Sequence, residues 1–156
     1  MPLHRLVYYS KYNIASKGGA LRQTLKQILS SAIRSNSERG LTGGLIFNSL
    51  FFAQVLEGEH AAVMQTFARI FKDTRHKDVV VTSTEAISER LFGAWSMGFA
   101  GNTDLFSALC EEYGQPGGFD PTSMSGSDLM AFILTLVTKE ERIGSSLYVA
   151  GTLTDA

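Results

Sequence analysis

LTGGLIFNSLFFAQVL, residues 41–56, is the stretch whose reading decides the fold. It holds two short apolar runs, Leu41 to Phe47 and Phe51 to Leu56, split by Asn48-Ser49-Leu50. Two strand-like runs joined by three residues predict a β-hairpin. Upstream, Leu21, Leu25, Ile28, Leu29, Ala32 and Ile33 recur at helical spacing. They predict an amphipathic helix of about four turns, stopped by Gly40, with Arg39 where a cation favours the helix end. A loop with Gly18 and Gly19 precedes that helix, and Leu3 to Ser10, centred on Leu6-Val7-Tyr8-Tyr9, reads as the first strand. Downstream, His60 to Thr74 carries Val63, Met64, Phe67, Ile70 and Phe71 on one helical face. Val79 to Thr82 is a β-branched run, as in a strand covered on both faces, and Phe92 to Phe99 reads as a fifth strand.

Strand, helix, strand, strand, helix, strand, strand is the order of a ferredoxin-like α+β sheet, βαββαββ. Strand–helix–strand crossovers are right-handed, so both helices fall on one face of the mixed sheet. The other face is left apolar and needs a cover. Leu105, Phe106, Leu109 and Tyr113 predict a short helix, and Tyr113 to Gly126 a Gly- and Pro-rich loop. Leu129, Phe132, Ile133, Leu136 and Val137 predict a strong amphipathic helix opened by Ser125 or Ser127. This helical pair is expected to pack on the open sheet face. The chain thus divides into a sheet domain over 1–100, a helical extension over 101–143 and a weakly patterned tail over 144–156.

The chain has 156 residues, 44% of them hydrophobic and 19% charged, as expected of one globular domain. Lys and Arg number 14 against 15 Asp and Glu, which gives no electrostatic argument for nucleic acid or an anionic membrane. One cysteine, Cys110, excludes an intrachain disulfide and suits a reducing cytoplasm. No apolar run approaches the roughly 20 residues of a membrane helix, and no leader pattern opens the chain. His4, His60 and His76 lack metal-ligand spacing, and no nucleophile elbow, phosphate loop or dinucleotide fingerprint is present.

What stands out is a set of polar residues inside apolar elements. Tyr8 sits mid-strand among aliphatics, and Gln54 lies within Phe51-Phe52-Ala53-Gln54-Val55-Leu56, where a buried amide needs partners at both ends. Asn36 falls at the end of the first helix, and Arg69 and Asp73, four apart, share a face of the second. Taken singly these have plainer readings: a core tyrosine, a solvated edge amide, a helix cap and a surface ion pair worth less than about 1 kcal/mol.

Taken in order they match one family. Arg5-Leu6-Val7-Tyr8-Tyr9-Ser10, Asn36 with Gly40-Leu41-Thr42-Gly43, Gln54-Val55-Leu56-Glu57-Gly58, Asp73-Thr74-Arg75-His76, and Arg90 with Trp95-Ser96-Met97 resemble the BLUF domains, which sense blue light with a flavin. The remainder is similar to the helical extension of short, single-domain BLUF proteins. The resemblance implies the ferredoxin-like fold with the flavin ring between the two helices. It implies FAD as cofactor, FMN being the alternative flavin. It also implies that Tyr8 and Gln54 contact each other and the flavin edge bearing N5 and the C4 carbonyl. Asn36 would bind the C4 carbonyl and N3, Arg69 the C2 carbonyl side with Asp73 as its neighbour, Ile28 and Ile70 the ring plane, and His76 its outer part. Trp95 and Met97 would occupy a strand whose contact with Gln54 changes on illumination. The chain departs from the family pattern at Ser35, where members often carry Asn or His.

These residue types suit the task. A buried phenol can release an electron and a proton together, and an amide that rotates or tautomerises exchanges a donor for an acceptor. The resemblance therefore implies a cytoplasmic photoreceptor, not an enzyme, that signals to a separate partner protein through the last strand and the C-terminal helices. The apolar residues of the last helix and the absence of an effector domain suggest a homo-oligomer. The alternative is a non-photoactive ligand-binding or interaction module on the same scaffold, which would be colourless. An acylphosphatase-like hydrolase is disfavoured, because Asn36 and Arg69 have no glycine-rich anion loop beside them.

Overall fold

The computed structural model describes residues 2–13, 21–48, 50–100, 103–115 and 117–143. The loop holding Gly18 and Gly19 and the tail from Gly144 lie outside the described residues. In chain order the elements are β1 (Leu3–Tyr12), α1 (Leu21–Arg39), β2 (Thr42–Phe47), β3 (Phe51–Glu59), α2 (His60–Lys72), β4 (His76–Ile87), β5 (Gly98–Ala100), α3 (Thr103–Glu112) and α4 (Gly126–Ile143). The five strands form one sheet in the order β4-β1-β3-β2-β5. The first four pair antiparallel, and β5 adds parallel to β2 through Gly44↔Gly98, Leu45↔Phe99 and Ile46↔Ala100. This is the ferredoxin-like α+β sheet.

Strand alternation gives the sheet two apolar faces, each with its own core. Leu6, Tyr8 and Tyr12 of β1, Leu45 and Phe47 of β2, and Phe52 and Leu56 of β3 pack with α1 and α2. Val7, Ile46, Ala53 and Val55 point the other way, against α3 and α4. The hairpin predicted from residues 41–56 is present, with Asn48 Oδ1 accepting from the backbone of Leu50 and Phe51 across its turn. The first helix runs to Arg39, nearly two turns beyond its last periodic apolar residue, Ile33. It ends where Gly40 adopts a φ of 71°, a left-handed value that lets the Leu41 N–H reach the Asn36 carbonyl at 2.9 Å.

Two expectations need correction. The fifth strand is three residues long rather than spanning Phe92 to Phe99. The N–H groups of Leu91 and Phe92 go to the Glu57 carboxylate, at 3.0 and 2.8 Å, instead of to a strand ladder. Trp95 and Met97 therefore stand in an irregular segment before β5, and β2 lies between that edge and the Gln54-bearing β3. Secondly, the apolar residues that mark the last helix in sequence face inward, and of its larger described apolar residues Met130 and Leu134 stay partly exposed. Leu129, Phe132, Ile133, Leu136 and Val137 are fully buried against the sheet. Ser125 is its N-cap, accepting from Asp128 N at 3.1 Å.

Phe132 is the centre of this second core, with ring centroids of Phe119 at 5.1 Å, Tyr113 at 5.3 Å and Phe106 at 5.8 Å. Replacing Phe132 by Ala is expected to cost about 3–5 kcal/mol. It should lower the urea midpoint of the whole chain in one transition. A separate early transition for α3 and α4, with the sheet unaffected, would contradict a core shared by helix and sheet.

Candidate functional site

On the opposite face, α1 and α2 diverge over the sheet and leave a cleft of about 220 Å³. Ile28, Ser31, Ala32 and Ser35 share one face of α1, and Thr66, Arg69, Ile70 and Asp73 one face of α2. Tyr8, Leu45, Gln54 and His76 rise from the sheet as its floor. Aliphatic walls with a few convergent polar groups are the usual make-up of a small-molecule site.

The antiparallel register sets Tyr8 directly opposite Gln54 on the cleft face. The Tyr8 hydroxyl donates to Gln54 Oε1, and Gln54 Nε2 donates to Met97 Sδ at 3.5 Å. Both ends of the buried amide are thereby engaged, one by a strong partner and one by a weak one. Asn36, 1% exposed, donates through Nδ2 to the Ser96 carbonyl at 2.8 Å, and Ser37 and Ser96 hydroxyls meet at 3.0 Å. Trp95 faces the other way: its Nε1 donates to Glu141 Oε2 of α4 at 3.1 Å.

Arg69 and Asp73 both line the cleft, but they are not each other's partners. Arg69 donates to Ser35 Oγ at 2.8 Å, so the serine at the position that departs from the family pattern anchors the arginine. Asp73 ends α2, and the chain turns there so that Arg75 folds back on it at 2.5 Å. Burial pushes the Asp73 carboxyl up, but the hydrogen bonds from Arg75 outweigh this and hold it below its usual range. Burial, assisted by the Asp73 charge, drives the Tyr8 phenol far above its ordinary value, so it keeps its proton at any physiological pH. His76 sits 2.7 Å from Ser10 Oγ through Nδ1 and packs on Phe52.

A family model described as "Sensors of blue-light using FAD", BLUF, matches residues 3–98. The chain belongs to the BLUF family. Its function is the sensing of blue light through a flavin, FAD in this family. Among curated proteins it is 38% identical over 73 residues to the photoactivated adenylate cyclase subunit alpha of Euglena gracilis. It is 34% identical over 95 residues to subunit beta of Euglena longa. These alignments cover 47% and 61% of this chain but only 7% and 11% of those proteins, so the chain matches a small part of each. Among solved structures, "BlsA photo-activated state" aligns with a TM-score of 0.77 at 32% identity, covering 86% of this chain and 94% of that one. "BlrB - a BLUF protein, dark state structure" aligns with a TM-score of 0.72 at 26% identity, covering 89% and 97%.

The cleft of this BLUF domain fits a flavin in its chemistry. Ile28 and Ile70 offer flat aliphatic walls, while Asn36, Gln54 and Arg69 supply hydrogen-bonding groups for a polar ring edge. The Thr66 hydroxyl on the cleft wall is buried and has no partner within the protein, a polar group for which a bound ring edge would compensate. Sequence reasoning missed Thr66, Ser31 and Arg75. The serine had a legible signal, since Ile28, Ser31, Ala32 and Ser35 follow helical spacing. Thr66 had none. Among the described residues no helix is long and apolar enough to cross a membrane.

Burial pulls the His76 imidazole down to about 4, with Asp73 opposing and Arg75 assisting. The folded protein keeps this ring neutral to near that pH, while the unfolded chain protonates it below about 6.5. Between the two the unfolded state holds the extra proton, so stability falls as pH falls from about 6.5 to about 4, by roughly 3 kcal/mol at most. Urea midpoints at pH 7 and pH 5 should differ less in a His76→Asn variant than in the parent. Equal differences in the two proteins would assign that pH dependence to other groups.

Proposed function

We propose that Tyr8 is the electron and proton donor of this blue-light sensor and Gln54 its switch. Output then passes through residues 91–97 and α4 to a separate partner protein. The observation that carries this reading is the buried chain Tyr8–Gln54–Met97, in which one amide holds a phenol on one side and the output segment on the other. Bound flavin would absorb blue light and thereby supply an excited state that is a strong oxidant. The Tyr8 hydroxyl is shielded from water and aimed at Gln54 Oε1, so its proton has one path out, along that bond.

Rotation or tautomerisation of the amide changes what both neighbours meet. With Nε2 turned toward Tyr8, the phenol becomes an acceptor and Met97 Sδ loses its donor. Met97 and Trp95 are two residues apart and face opposite sides of the sheet, Met97 with the cleft core and Trp95 with the α4 core. A displacement of Met97 thus reaches Glu141 through the Trp95 indole. Gly98 leaves no room between them: a Cβ there would lie 2.5 Å from Val137 Cγ1 of α4 and 3.2 Å from the Trp95 ring. The light-driven output is a change in α4, read by another cytoplasmic protein or by further copies of this chain, with no catalytic step in the domain. Asn36, Arg69, Ile28, Ile70, Asp73 and His76 hold the flavin.

An absorption spectrum before and after blue light tests the reading. The purified protein should be yellow and shift to the red on illumination. Gln54→Leu should keep the flavin and abolish the shift, and Tyr8→Phe should block photoconversion. A full shift in the leucine variant would remove Gln54 from the switch.

A further inference from the structure

Three of the sequence blocks that carry the family resemblance contain a charged residue with no place in the cleft: Arg5, Glu57 and Arg90. The fold brings all three together at the root of the segment that carries Trp95 and Met97. Glu57, on β3 three residues from Gln54, is fully buried. Its Oε2 accepts from Arg5 Nε at 2.8 Å and from Leu91 N at 3.0 Å, and its Oε1 from Phe92 N at 2.8 Å. Arg90 closes over the outside, donating to Thr42 Oγ1 at 3.0 Å, the Gly40 carbonyl at 2.9 Å and the Glu57 carbonyl at 3.4 Å.

The far half of the same segment is held differently. Ser96 O takes the Asn36 amide and Met97 Sδ the Gln54 amide, both from side chains that line the cleft, while Ser96 Oγ meets Ser37 Oγ at 3.0 Å and the Trp95 carbonyl accepts from Gly43 N of β2 at 3.1 Å. Between the two holds lie Gly93 and Ala94, exposed, and without a side chain large enough to pack. One end is pinned by a carboxylate with three donors, whereas the reach of the other into the cleft is set by the Asn36 and Gln54 amides. A side-chain change at Gln54 that moves Met97 is then resisted at 91–92 and at the Trp95 carbonyl, so it turns residues 95–97 about these holds and carries the Trp95 indole against Glu141.

We propose that Glu57 is a positioning residue for the light response: it fixes the pivot that turns a hydrogen-bond change at Met97 into movement of Trp95 and α4. The inference rests on the Tyr8–Gln54 photoswitch. Leu91 and Phe92 bond different oxygens of Glu57, so a glutamine at 57 turns an NH2 toward one of them and that segment N–H is released. Glu57→Gln alone would leave the buried Arg5 charge with only the exposed Glu85, at 3.2 Å, and destabilise the fold. The informative variant is therefore the double substitution Arg5→Met with Glu57→Gln, and Arg90→Met loosens the same pivot from outside the buried pair.

Each flavin-loaded protein is compared before and after blue light by absorption, by the emission of Trp95, the one tryptophan in the chain, and by amide hydrogen exchange over 126–143. In both variants the red shift should persist at its parental size. The light-induced changes in Trp95 emission and α4 exchange should fall about fivefold or more, the factor matching one net hydrogen bond. A red shift with parental emission and exchange changes in both variants would overturn the role of Glu57. Absence of a red shift in the parent chain would instead overturn the photoswitch on which it rests. Loss of the red shift in the variants alone would place Glu57 in the sensing step and equally remove it from transmission.

Discussion

The antiparallel register that sets Tyr8 opposite Gln54 is the constraint on which the rest of the structure depends. A sheet has a side-chain period of two, so a slip of one residue in either strand would send its polar group to the α4 face and bring Val7 or Val55 into the cleft. The register is held because both faces are buried, and no alternative pairing satisfies two apolar cores at once. The cofactor site therefore inherits its precision from packing on the side of the sheet where no cofactor binds. α3 and α4 are part of that precision, since they cover the face that makes the strands apolar throughout.

Burial also sets the chemistry. A phenol with an ordinary pKa is already a neutral donor at pH 7. Removing water raises it further and leaves Gln54 as the acceptor its hydrogen meets. The same dryness makes the amide a switch rather than a spectator. In water either orientation of Gln54 finds partners, whereas here the donors and acceptors are fixed and few, so turning the amide changes the energy of both neighbours. His76, kept neutral by burial, adds no charge to the floor, and Arg75 compensates Asp73 before its field can dominate the cleft.

Periodicity made most of the fold legible. The hairpin at 41–56, both crossover helices and the helix over 126–143 follow from apolar spacing, because each element has a large face to bury. The fifth strand was overextended for the same reason. Phe92, Trp95, Met97 and Phe99 are all buried, and from sequence a buried apolar run looks like a strand, even where its amides are satisfied by a carboxylate 35 positions away in the chain. The pairing of Asp73 escaped the helical rule because α2 ends at that residue. Beyond a helix end, i,i+4 spacing no longer says which side chains meet, and the backbone turn gives Arg75 the shorter reach. Thr66 left no trace in the sequence, since an amphipathic pattern records which residues are buried but not where a helix stands off from its neighbour.

The irregular backbone over 91–97 is better suited to carrying a signal than the strand the sequence suggested. A strand laddered to β2 would have its register fixed by main-chain bonds that no side chain in the cleft can alter. A segment with one main-chain bond to β2, from Gly43 N to the Trp95 carbonyl, and otherwise tied through side chains can hold two arrangements of similar energy, chosen by the group at one attachment point. Three short links, to Asn36, Gln54 and Glu141, place that segment in contact with the cleft and with α4, although the sheet separates the two. The strand that does form, Gly98–Ala100, is long enough to fix the segment's exit and too short to fix its course. Departure from regular structure at this one edge is what allows a sheet built for rigidity to pass a change from one face to the other.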